Sequence, residues 1–151
     1  MWSYDHRSRV VRFAATLALA GSLGGCFEPI DSGACHTDRD CSGAVCSNVG
    51  ECAPSTYRLR IEWTLRGAQA NQPGACSGVS ELAIVVSDPS TGLEFGIQPV
   101  PCEIGSFLLD KMPPSYTTVA VSAYDVRGDL MTSSGGVTDP SDGTVTVDLR
   151  P

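Results

Sequence analysis

Seven cysteines carry most of the chemistry open to this chain of 151 residues. Six of them, Cys35, Cys41, Cys46, Cys52, Cys76 and Cys102, form an even set, and Cys26 stands apart upstream. A thiol can attack as a nucleophile, ligate a metal, pair as a disulfide or carry a lipid. Nucleophilic attack needs a neighbouring base, and the one histidine beyond residue 25 is His36, inside the cysteine cluster. Structural zinc favours two close ligand pairs, about two to four residues apart. The run "CHTDRDCSGAVCSNVGEC" instead spaces its cysteines evenly, with gaps of five, four and five residues. Asp38 and Asp40 lie within it, but two carboxylates fall short of the roughly six to eight oxygens that calcium takes. They read as turn residues that hydrogen-bond loop amides. The six downstream cysteines are therefore expected to form disulfides, with no metal and no cofactor.

Cys26 needs a separate account, and the residues before it supply one. Arg7, Arg9 and Arg12 give a basic start, and "FAATLALAGSLGG" follows as an apolar run of small residues. That run is shorter than the roughly 20 residues of a spanning helix and has no polar face to make it a buried amphipathic one. It ends in Leu23-Gly24-Gly25-Cys26: a branched apolar residue, two small ones, then the thiol. Residues 1–26 resemble bacterial lipoprotein precursors, with acidic Asp5 a mild departure. The resemblance implies a diacylglyceryl thioether on Cys26 and cleavage between Gly25 and Cys26, usually followed by acylation of the new amino group. Residues 1–25 would be a cleaved signal helix and residues 26–34 a lipidated tether. The chain would sit in the bacterial cell envelope, anchored to a membrane at Cys26. One acyl chain is a marginal anchor at about 0.8 kcal/mol per buried methylene, whereas two or three hold firmly.

Removal of the signal sharpens the charge. The whole chain has 10 basic and 17 acidic residues, a net of −7. Residues 1–25 contain three arginines and one aspartate, so the remainder carries seven basic against sixteen acidic, a net of −9. A surface of that sign has no electrostatic footprint for nucleic acid, which is excluded as a partner.

The four clustered cysteines allow three pairings, between which sequence alone does not choose. The crossed one, Cys35–Cys46 with Cys41–Cys52, is favoured because sequential pairing leaves two loops with nothing to fix one against the other. Val45 and Val49 are the only large aliphatics of residues 35–52, so cross-links must replace a core. Asp38, Asp40-Cys41, Gly43, Cys46, Gly50 and Cys52 resemble the small Dickkopf-type and whey-acidic-type cysteine modules of secreted and lipid-anchored proteins. That likeness implies a disulfide-rich knob and leaves its function open.

Residues 53–56 read as a linker, after which period two takes over. "YRLRIEWTL" sets Tyr57, Leu59, Ile61, Trp63 and Leu65 on one face and Arg58, Arg60, Glu62 and Thr64 on the other. "SELAIVVSD" reads as a central strand, "LEFGIQPV" as an alternating one and "SFLLD" as a short one. "YTTVAVSAYD", "LMTSSGGVT" as a weak edge and "GTVTVDL" complete the set. Seven strands separated by turns, with no helical periodicity, predict a mainly β domain over 57–151: a seven-stranded antiparallel β-sandwich. Cys76 and Cys102, in loops of this segment, are expected to pair. Met112-Pro113-Pro114, Tyr116 and the alternating strand after them resemble transthyretin-like sandwiches, which include collagen-adhesin B-type and carboxypeptidase regulatory-like domains; Ser115 replaces the usual glycine. The resemblance implies Greek-key connections and structural, adhesive or binding roles.

Little remains for catalysis. His36 has no partner set for a triad, "DPSTG" reads as a turn, and no carboxylate pair lies in an apolar setting that would raise a pKa. The tripeptide Arg127-Gly128-Asp129 has the composition of an adhesion signal and equally of a plain turn. The expectation is a non-enzymatic envelope protein that binds a protein or glycan through the sandwich. The alternative is a cysteine-rich head, protease-inhibitor-like or partner-binding, that the sandwich presents.

Overall fold

The structure, a computed structural model, describes residues 34–151. The expected signal segment, Cys26 and most of the expected tether lie outside the described residues. Among the described residues no helix is long and apolar enough to cross a membrane.

Among the described residues ten strands replace the seven expected: β1 (Val45–Cys46), β2 (Cys52–Ala53), β3 (Tyr57–Leu65), β4 (Ala68–Gln69), β5 (Glu81–Ser87), β6 (Glu94–Val100), β7 (Ser106–Met112), β8 (Thr118–Tyr124), β9 (Leu130–Val137) and β10 (Thr144–Leu149). Their seven long members are the seven predicted from period two. The additions, β1, β2 and β4, have two residues each, too few for alternation to show. Two single-turn 3-10 helices, Asp38–Asp40 and Cys102–Ile104, are the only helical turns among the described residues.

The long strands form two sheets. One has the order β6-β5-β8-β9; in the other β3 is central, with β10 on one side and β7, then β4, on the other. β5 is central as its apolar sequence predicts, and β9 is an edge. One expectation fails: β10 lies parallel to β3, in register from Thr144 against Arg60 to Leu149 against Leu65. Alternation specifies which face a residue takes but carries no information on strand direction. The remaining pairings are antiparallel.

The inner faces of the two sheets meet in one core. Leu59, Ile61, Trp63 and Leu65 from β3 and Val145, Val147 and Leu149 from β10 face Leu82, Ile84 and Val86 from β5 and Val119, Val121 and Ala123 from β8. Removing such surface from water contributes about 25 cal/mol per Å2, the main term favouring this packing. Against the alternation, Ala83 is buried too, as suits a strand flanked on both sides.

Turns are built on one device used twice. In "DPSTG" and "DPSDG", Asp88 and Asp139 each accept hydrogen bonds from the backbone and hydroxyl of the serine two residues on, at 2.8 and 2.6 Å and at 2.8 and 2.8 Å. The closing glycines, Gly92 and Gly143, return a backbone bond to the aspartate carbonyl, both at 2.8 Å and with φ of 72° and 65°. Proline and an Asx-type bond prearrange the turn, and glycine supplies the left-handed residue.

Candidate functional site

The cysteines come first. Cys35 pairs with Cys46 and Cys41 with Cys52, the crossed arrangement, and Cys76 pairs with Cys102. In the chain-entropy model the short loops, with separations of 11, contribute about 3 kcal/mol each, and the loop of 26 contributes about 3–4 kcal/mol. Sγ atoms of Cys35, Cys41 and Cys52 lie within 4.8 Å of one another, but all three are committed to disulfides.

The two aspartates of the knob act on backbone amides. Asp40 Oδ2 accepts from the amides of His36 at 2.9 Å and Thr37 at 2.7 Å, and Asp38 Oδ1 accepts from the Cys46 amide at 3.0 Å. The Lys111 ammonium, with the Cys46 amide, holds Asp38 below the usual carboxylate range. Amides of His36 and Thr37 do the same for Asp40. His36 itself is exposed.

The knob is fastened to the sandwich. Lys111, the only lysine in the chain, reaches Asp38 at 3.0 Å, and its carbonyl accepts from the Asn48 amide at 3.0 Å. The Asn48 side-chain amide donates to the Asp110 carbonyl, and Val49 packs on the sandwich core. Lys111 adopts φ 53° where the β3–β7 register shifts, so a bulge aims it at the knob. Ala53, the first residue of the expected linker, is buried in β2.

A concavity over Trp63 was not foreseen. β3 changes neighbour at Trp63: β7 pairs with it through Glu62, and β4 resumes at Thr64. In the gap the Trp63 amide donates to the Gly105 carbonyl at 3.1 Å, and its indole donates to the Cys102 carbonyl at 2.8 Å. The notch holds about 270 Å3 and is lined by Glu62, Thr64, Gln69, Asn71, Ser106 and Thr146, with Ile104 at the rim. Its polar side chains are carboxamides, hydroxyls and one carboxylate, set beside apolar Trp63, Ala70 and Ile104, and Glu62 is engaged by Arg60 at 3.6 Å. Only the tertiary switch of partner brings them together, so no spacing along the chain announces them.

Compared with known proteins, the chain matches no family model, no curated protein and no solved structure. The reading of its chemistry therefore rests on its own residues.

The perturbed aspartates among the described residues share one direction. Asp38, Asp40, Asp88, Asp125, Asp139 and Asp148 all shift, and every one shifts down, toward permanent ionisation at neutral pH. Tyr57 is pushed up to about 12 by burial, and its hydroxyl donates to the Tyr116 carbonyl at 2.5 Å. In the turn at 125–129, Asp125 accepts from the amides of Arg127 and Asp129, and the Arg127 guanidinium binds Asp125 at 3.1 Å and Asp129 at 3.3 Å. One guanidinium is thus shared by two carboxylates, and the turn keeps a net negative charge.

Proposed function

We propose that this chain is a lipid-anchored, non-catalytic protein of the bacterial cell envelope, a binding or adhesive module held to the membrane through Cys26. The observation that carries the reading is the closed account of the other thiols: six cysteines pair among themselves, which leaves Cys26, at the end of an apolar run, as the seventh. Three disulfides suit an exported protein. The likeness of residues 57–151 to transthyretin-like sandwiches adds to the reading, since the seven long strands lie in two sheets packed on one core. Downward-shifted aspartates and an exposed, unassisted His36 favour binding over catalysis.

Cys26→Ser decides the anchor. The variant is expected to lose incorporation of labelled fatty acid and to accumulate as uncleaved precursor. Normal processing and labelling of the variant would overturn the reading.

A further inference from the structure

We propose that the free edge of β9 receives an extended strand from another protein, uncharged along its middle and basic at both ends. The proposal deepens the reading of the chain as a binding module by naming its docking edge.

Sheet edges expose unpaired backbone groups, and folded proteins usually guard them with charge, proline, bulges or a covering segment. Three edges here are guarded. β6 carries Glu94 and Pro99, and its pairing with β5 breaks register between Leu82 and Ile84. β7 carries Asp110 and Lys111, and the knob covers its end through Asn48. β10 carries Asp148. β9, Leu130–Val137, reads LMTSSGGV and has no charge and no proline, and its break in register against β8 lies at its first residues, opposite Ala123 and Tyr124, which leaves Thr132 to Val137 regular.

The direction of its backbone groups follows from one bond. The Thr138 amide donates to the Thr117 carbonyl at 2.8 Å, directly across the β8–β9 ladder. Antiparallel pairs alternate between bonded and non-bonded, so Gly136, Ser134 and Thr132 spend their groups on β8. Amides and carbonyls of Val137, Gly135 and Ser133 therefore point away from it, and β9 pairs with no second strand among the described residues. A strand laid along this edge would meet three successive outward donor–acceptor sets, the geometry of β-strand addition. Val137, 77% exposed, and Leu130, 59% exposed, offer apolar contacts at the two ends.

Charge selects the occupant. Asp125 and Asp129 precede β9, and Asp139 and Asp142 follow it. Arg127, beside the first pair, is already shared between Asp125 and Asp129, and Arg58 and Arg60, whose backbones adjoin Gly143, are paired with Asp110 and Glu62. A second copy of this acidic chain would bring the same four aspartates to the ends of the ladder. A strand with lysine or arginine flanking about six uncharged residues meets carboxylates at both ends and only neutral residues between. Ion pairs of this exposure contribute little each, so they set register and orientation while the backbone bonds hold the strand.

The test uses the full chain as expressed, in detergent micelles, with the synthetic peptide Lys-Thr-Val-Thr-Val-Thr-Val-Lys as probe and amide exchange by NMR as readout. Peptide is expected to protect Ser133, Gly135 and Val137, whose amides exchange freely without it. Asp129→Asn with Asp139→Asn should weaken binding about two- to fivefold per aspartate removed. The same peptide with glutamate at both ends should bind more weakly than the lysine form. No new protection at millimolar peptide would overturn the proposal. So would protection that rises with protein concentration alone, which assigns the edge to a second copy, or equal binding of the glutamate peptide. Lipid labelling at Cys26 is read separately, so failure of the edge and failure of the anchor are distinguishable.

Discussion

Lys111 Nζ stands 3.0 and 3.1 Å from the two carboxylate oxygens of Asp38, and this pair joins the knob to the sandwich. Asp38 serves both sides, because the oxygen nearer the ammonium also accepts from the Cys46 amide. Lys111→Ala removes the cross-module contact and leaves the knob's own disulfides intact. The expected result is faster exchange of the Cys46 and Asn48 amides and quicker proteolysis between residues 47 and 56, with the exchange of β5 and β8 unchanged. An unaltered exchange pattern would show that Asn48 and Val49 hold the knob alone.

The clamp also marks where sequence stopped being informative. Seven strands were legible as apolar or alternating runs between turn signals, of which Tyr57 to Leu65 alternates without interruption. That the six downstream cysteines form disulfides was legible from their even count and from a spacing unlike that of a zinc site, and the crossed pattern was favoured because it fixes one loop against the other. The parallel approach of β10 was not, since Val145, Val147 and Leu149 would point inward in either direction. Nor was the notch over Trp63, whose lining comes from β3, β4, β7 and β10 at once. Nothing in the sequence marked Lys111, because only the bulge, a property of two paired strands, turns it toward Asp38.

Acid stability should depend most on two of the six lowered aspartates. Asp88, through Ser90, and Asp148, through the Gly67 amide with Arg150 and Thr64, are both lowered to about 2. Each is an ordinary carboxylate once unfolded, with a pKa of about 4. Above pH 4 both states are ionised and the folded state keeps the full benefit. As pH falls from about 4 to about 2 the unfolded state takes up protons first, so stability declines through that window. Urea midpoints measured across it should fall steeply for the native chain and less so for Asp88→Asn with Asp148→Asn. Equal slopes would remove these two groups from the account.

The twin turns allow a controlled comparison of backbone and steric cost. Gly92 and Gly143 have similar positive φ, 72° and 65°. A Cβ at Gly92 meets open space, whereas one at Gly143 overlaps the Arg58 carbonyl oxygen. Gly92→Ala is expected to cost about 1 kcal/mol, the left-handed penalty for a side chain. Gly143→Ala should cost clearly more, roughly 2–4 kcal/mol, because the turn must shift where it feeds β10 onto β3. Chemical denaturation of the two variants checks this, and equal losses would show that the turn at Asp139–Gly143 yields freely.

Trp63 and the Cys76–Cys102 bridge act on the same carbonyl from two directions. The bridge closes 26 residues and holds Cys102 fully buried, while the Trp63 indole satisfies the Cys102 carbonyl at 2.8 Å. Cys76→Ala with Cys102→Ala removes loop closure and is expected to cost about 3–4 kcal/mol. Trp63→Phe keeps most of the apolar volume but leaves a buried acceptor without its donor, for about 1–3 kcal/mol. If the bridge and the indole hold one loop in one position, the losses are not additive: without the bridge the Cys102 carbonyl can turn to water, and Trp63→Phe then costs less. A double-mutant cycle by urea unfolding measures that coupling, and strict additivity would show that the loop keeps its place without either.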